Sequence, residues 1–198
     1  MLQACAAALV AAYYLIPSFR HSADQLQVIK LHGGLLFSAL TTAFGGAFLP
    51  ELARRVTLGA STPLGRLLFQ LAFFAGLGIS VDLLYREMAV LFGAEASIEV
   101  VLKKILIDQF VYAPCFSVLF STLLFSWESQ GFSVEKTKEA LANGGFARHY
   151  FPLLITCWCF WGPVLGAVYA LPVNLQFMLY LCANAAWSLL LLHISTSP

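Results

Sequence analysis

Charge is what this chain has least of. Only 11% of its 198 residues are Asp, Glu, Lys or Arg, against about 25% in a soluble domain. The basic residues fall singly or in pairs and the formal net charge is +1, which excludes a nucleic-acid partner held by a basic patch. Cysteine is no framework either. The five cysteines are odd in number, contain no Cys-x-x-Cys, and mostly sit in apolar stretches, where they read as small buried hydrophobes. The chain has no nucleophile elbow, phosphate-binding loop, His-Glu-x-x-His pair or paired-acid signature. His32, His149 and His193 share no metal or catalytic spacing. Neither an enzyme nor a cofactor or metal site is expected. The first residues lack a basic leader and a cleavage site, so Leu2–Ile16 reads as a short or tilted helix rather than a signal peptide.

Apolar residues fill the gap. They make up 60% of the chain, with a mean hydropathy of +0.82. A bilayer-crossing helix needs about 20 apolar residues, and runs of that kind recur. One covers residues 31–49 and is closed by Pro50; another covers 67–85. A third starts at the N-cap Ser97 and enters the membrane over 105–127, with Pro114 expected to kink it. Two more cover 151–171 and 173–194, parted by little more than Pro172 and Asn174. With the N-terminal segment the expected architecture is all-α: a polytopic transmembrane bundle of about six helices, or five, forming a single integral membrane domain over 1–198. The polar stretch from Glu128 to Tyr150 is expected to hold a short extramembrane helix near 133–142, capped by Ser133 and ended by Asn143-Gly144-Gly145. Lys and Arg are spread nearly evenly over alternate loops, so orientation is not encoded.

Small residues recur four apart as Ala39-Ala43-Ala47, Ala72-Gly76-Ser80 and Gly162-Gly166-Ala170. Such stripes let helix backbones approach closely in lipid, so Gly76, Gly162 and Gly166 are expected at helix contacts. Gly162-x-x-x-Gly166 could alternatively serve a homo-oligomer. Trp158 and Trp161 share a face in mid-segment and are expected inside the bundle, whereas Trp127, beside Glu128, fits an interfacial anchor.

Polar groups inside apolar runs need a reason, because an ionisable side chain in lipid costs several kcal/mol unless paired or hydrated (about 2.5–3.5 at the bilayer centre). Asp82 has Arg86 four residues on, which suggests an interfacial ion pair with a snorkelling Arg. Asp108 follows Lys104 by one turn and precedes Gln109. It reads equally as a paired anchor within the bundle and as the lining of a polar cavity.

The order Lys104, Asp108, Gln109, Pro114 resembles the Lys-x-x-x-Asp-Gln-x-x-x-x-Pro pattern of the Mpv-seventeen family of small membrane proteins, which includes the twenty-two-kilodalton peroxisomal membrane protein. Farther on, Trp161, Pro163, Tyr169, Pro172 and Trp187 resemble that family's Trp-Pro, aromatic, Val-Pro and Trp-Asn positions, and upstream Gly78 and Tyr85 resemble its Gly-Pro and Trp-Tyr. The chain departs from the pattern at the inserted Gly162, at apolar Leu165 and Val168, at Gln176 in place of Arg and at Ser188 in place of Asn, as a divergent member would. The resemblance implies a protein of the mitochondrial inner membrane, or of a peroxisomal or other organelle membrane, or of the plasma membrane in a bacterium. It implies a channel or a permeation path for small metabolites or ions, serving organelle homeostasis. Lys104, Asp108, Gln109, Pro114, Trp158, Trp161, Pro163, Tyr169, Pro172, Trp187, Asp82 and Arg86 are the candidate functional positions. The alternative is a structural or adaptor membrane protein whose polar groups only lock the bundle. The lipid bilayer is the partner in either case, and an oligomer could supply an acidic ring that one chain lacks.

Overall fold

The computed structural model describes residues 2–196, with side chains over 6–25, 27–173 and 175–190. Asn174 and His193, singled out above, and Cys5, one of the five cysteines, lie outside the described side chains. Among the described residues there is helix and no strand. In chain order the helices are α1 (Leu2–Leu15), α2 (Pro17–Ala43), α3 (Leu49–Leu58), α4 (Leu64–Phe92), α5 (Ile98–Ile107), α6 (Val118–Ser129), α7 (Val134–Leu141), α8 (Gly145–Tyr169) and α9 (Val173–Thr196). Two π-helical stretches, Phe44–Phe48 and Asp108–Ser117, join α2 to α3 and α5 to α6 without a break.

Four of the resulting rods are long and apolar enough to cross a membrane: Pro17–Leu58, Leu64–Phe92, Ile98–Ser129 and Gly145–Tyr169. Ala6–Leu15 and Leu175–Leu190 are shorter apolar helices. Leu36, Val56, Val90, Phe110 and Phe151 are among many large apolar side chains on the outside. Such a surface would be costly in water and is at home against lipid tails. This is the character of an integral membrane protein.

The helix boundaries differ from the apolar runs in instructive ways. Residues 17–30 are helical rather than a loop, because Pro17 stands in the first turn of α2, where its missing N–H costs nothing. Pro50 does not close the second run; it sits in the first turn of α3 after the π stretch. A proline ring clashes with the carbonyl four residues earlier in an α register. For Pro50 that carbonyl belongs to Gly46, inside the widened π segment. The helix therefore continues through the proline. Ser133 caps α7 by accepting from Lys136 N, and Asn143 and Gly144 take left-handed backbone after it, as anticipated.

The helices are packed by glycines other than the ones the stripes suggested. A Cβ added at Gly76, Gly162 or Gly166 would meet nothing within 4 Å, so these three make no close backbone contact inside the chain. The spacing rule finds residues on one face but does not say which face meets a neighbour. The tight approaches are at Gly78, where a Cβ would run into Ser38 O and Thr42, and at Gly46, where it would run into the Phe74 ring. Both seat α4 against the α2–α3 rod. Ala39, Ala43 and Ala47 are buried as their stripe implied.

Around this seam lies the core. Tyr85 and Val81 of α4, Val164, Leu165, Val168 and Tyr169 of α8, and Phe177 and Tyr180 of α9 form one buried cluster. α9 touches α2, α3, α4 and α8. Gly78→Val is expected to destabilise the protein by about 1–3 kcal/mol through overpacking, while Gly166→Ala, with open space for the methyl group, is expected to stabilise it by up to about 1 kcal/mol. Thermal unfolding in detergent, followed by tryptophan fluorescence, measures both.

Candidate functional site

Two polar centres lie within the bundle. The first is built on Asp82, whose side chain is wholly buried. Its Oδ1 receives Lys30 Nζ at 2.7 Å, and its Oδ2 receives Ser38 Oγ at 2.6 Å and Arg86 at 3.0 Å. The expected Asp82–Arg86 pair is present, with the Arg86 side chain half exposed as a snorkelling residue should be. The carboxylate itself is enclosed by protein on all sides. It is a hub between α2 and α4. Lys30 and Ser38 were missed in the sequence because they are 52 and 44 residues away. Eight residues along a straight helix separate them by about 12 Å. Gly34, with φ 53 and ψ −139, breaks the helix between them. That conformation is open to glycine, and the kink helps both side chains converge on one carboxyl group.

The second centre surrounds Asp108. The expected Lys104–Asp108 ion pair does not form. Asp108 Oδ2 instead accepts from Tyr169 OH at 2.7 Å, and the fully buried Lys104 Nζ has no hydrogen-bond partner and lies 5.9 Å from the centre of the Tyr169 ring. The α register ends at Ile107 and the wider π register begins at Asp108, so residues four apart no longer stack as they do on an α-helix. Glu99–Lys103, one turn earlier in pure α-helix, does pair, at 2.5 Å.

Pro114 explains the π stretch. Its ring excludes an α turn onto Phe110, and in the i→i−5 register its missing N–H leaves Gln109 O without a backbone donor. Trp158 Nε1 supplies the bond at 2.7 Å. Tyr150 OH donates to Pro114 O at 2.9 Å. Trp158 thus packs inside, as expected, and has a specific task there. Trp127 stands two residues from the end of α6, with its indole N–H buried without a partner and its ring edge-on to Phe69 and Phe132.

Next to Asp108 a cavity of about 490 Å³ opens between α4, the Asp108–Ser129 helix, α8 and α9. At its inner end are Asp108 and Gln109, and Tyr85, Tyr112, Trp161, Tyr180, Asn184 and Trp187 also line it. Its outer end is lined by Ser129 and His149, both exposed. From Asp108 to Ser129 the helix runs about 30 Å at the α-helical rise, comparable to the hydrocarbon thickness of a bilayer. Along it Ser117, Ser121, Thr122 and Ser126 also line the cavity. Those hydroxyls carried a sequence signal, since they recur at helical spacing within an apolar run. Asn184 and Tyr180 carried none.

The other candidates sort around these centres. Trp161 lines the cavity and stacks on Tyr180 with ring centres 5.6 Å apart. Trp187 lines it too and packs against Phe160. Tyr169 and Tyr85 meet edge-on at 5.4 Å, directly behind Asp108. Pro163 is on the outside of α8 and touches neither centre. Pro172 marks the α8–α9 turn, where its carbonyl accepts from Leu175 N and Gln176 N. The structure therefore gathers Lys104, Asp108, Gln109, Trp158, Trp161, Tyr169 and Trp187 and sets Asp82 and Arg86 apart. Two substitutions test this layout. Trp158→Phe leaves Gln109 O unpaired and is expected to cost about 1–3 kcal/mol. Asp82→Ala strands buried Lys30 and is expected to cost about 3–5 kcal/mol. Chemical unfolding in mixed micelles gives both values.

Comparison of the chain with family models, with curated proteins and with solved structures gives no match.

Proposed function

We propose that this protein is a gated permeation path for small metabolites or ions, formed by a bundle of six membrane helices in an organelle membrane. The observation that carries the reading is a largely apolar cavity with a row of hydroxyls, running along the Asp108–Ser129 helix from a buried acid and amide to an exposed mouth. Serine and threonine in an apolar run can bond back to their own helix. Lining a hollow, they also present polar atoms to a passing solute. The shorter helices α1 and α9 make the fifth and sixth spans in this reading. The resemblance of Lys104, Asp108, Gln109 and Pro114 to the Mpv-seventeen pattern supports the same class, and with it the mitochondrial inner membrane first and a peroxisomal or other membrane second.

Tyr85 and Tyr180 line the cavity and are buried together with Tyr169, which stands behind them. Conduction requires this layer to part, which makes it the gate of the proposed path. The same closed layer favours the second reading, a structural or adaptor membrane protein in which Asp108 only anchors Tyr169. Flux decides between them. Purified protein in liposomes is expected to pass solutes of up to a few hundred daltons, faster when Tyr180→Ala opens the layer. Ser121→Trp, which fills the cavity, is expected to cut flux by about tenfold or more, a cost of about 1.4 kcal/mol in rate. Protein-loaded and empty liposomes leaking alike, with Tyr180→Ala no different, would establish the structural role instead.

A further inference from the structure

The chemistry of the cavity wall selects a ligand. Its one acidic residue is Asp108, and no Lys or Arg lines it; His149 at the mouth is the only other titratable nitrogen. Lys104 is near in sequence but lies outside the lining, over the ring of Tyr169. Three of the wall hydroxyls are available as acceptors. Ser121 donates its hydroxyl proton to Ser117 O at 2.7 Å, Thr122 to Val118 O at 2.8 Å and Ser129 to Ser126 O at 2.7 Å. With those protons spent on the helix, the oxygens keep lone pairs for a donor.

Three polar groups at the inner end are also unsatisfied. Gln109 Oε1, Tyr180 OH and Asn184 Nδ2 are buried atoms without hydrogen-bond partners, on side chains 5%, 4% and 2% exposed. All three residues line the same cavity as Asp108. Leaving such groups unpaired costs about 1–3 kcal/mol each, so the inner end is built to receive polar atoms. Around it stand aromatic rings: Trp161 stacked on Tyr180, with Tyr85, Tyr112 and Trp187. Ring faces attract cations. A volume of about 490 Å³ is in the range of small-molecule sites and exceeds what a bare metal ion would use.

We infer that the inner end of this cavity binds an organic ammonium ion with an apolar body, its N–H groups directed to Asp108, Gln109 Oε1 and Tyr180 OH. Asn184 Nδ2 is left to donate to an oxygen of the same ligand. The inference names the solute class for the permeation path and rests on that reading for its physiological meaning, but the binding site stands without flux.

The test uses the full chain in detergent at neutral pH and three matched probes: 2-phenylethylammonium, neutral 2-phenylethanol and anionic 3-phenylpropanoate. Binding is read by calorimetry and by the fluorescence of the cavity tryptophans. The ammonium is expected to bind about tenfold more tightly than either comparator, or about 1.4 kcal/mol. Asp108→Asn, which keeps an acceptor for Tyr169, is expected to erase that preference. Tyr180→Phe, which removes one oxygen, should weaken the ammonium alone. Equal binding of the three probes by the unmodified protein overturns the inference, as does a folded Asp108→Asn that keeps the full preference. If Asp108→Asn does not fold, the ranking of the probes and Tyr180→Phe decide. Selective binding without liposome flux would remove the permeation reading and leave the site; flux with no probe preference would do the reverse.

Discussion

A single carboxylate holds α4 to the α2–α3 rod. Asp82 has no contact with solvent and gathers an ammonium, a guanidinium and a hydroxyl from two helices. In lipid no hydrophobic effect draws helix to helix, so an interaction of this kind sets where α2 and α4 meet. One turn before Asp82, Gly78 lets the α4 backbone close onto Ser38 and Thr42. The absence of a Cβ and the presence of a charge act on the same seam. The seam positions Val81 and Tyr85, and through them the wall and floor of the cavity.

Two prolines within otherwise continuous rods carry the same consequence. Before Pro50 and around Pro114 the helix widens to the π register and resumes. Widening frees carbonyls and turns side chains away from their α positions. At Pro114 the released Gln109 carbonyl is taken by Trp158, and Asp108 is directed at Tyr169 instead of Lys104. The distortion thus makes the polar pocket: an unbroken α-helix would keep Lys104 and Asp108 on one face and would offer no backbone acceptor to the indole. The other carboxylates follow the rule that buried acids find donors. Glu51 accepts from Thr62 N and Arg55 at the α3–α4 turn, and Glu128 from Gln70.

Much of the architecture was legible. Residues 105–127 fall in the rod Ile98–Ser129, 151–171 overrun the rod Gly145–Tyr169 by two residues, and Ser97 and Ser133 cap the helices expected of them. Local chemistry carries such signals: apolar length, a hydroxyl before a helix, Asn-Gly after it. The Asp82–Arg86 and Glu99–Lys103 pairs were legible for the same reason, being four apart on regular helix. Lys30 and Ser38 were not, because nothing local links them to Asp82. The glycine stripes misled: Gly162 and Gly166 satisfy the spacing, yet it is Gly78 and Gly46 that let α4 close onto the α2–α3 rod.

The amino-acid order therefore settled that this chain is helical, apolar on its outer faces and marked at Asp82, Asp108 and Gln109 by polar groups that need partners. Composition and spacing suffice for that, since lipid leaves helices as the way for such segments to satisfy their backbones. Which partner each polar group takes was decided in three dimensions. Tyr169 lies 61 residues from Asp108 and Trp158 lies 49 from Gln109. Their meeting depends on the crossing of α8 with the π-widened segment, and on that crossing depends whether Asp108 faces a lysine, a lipid or a cavity.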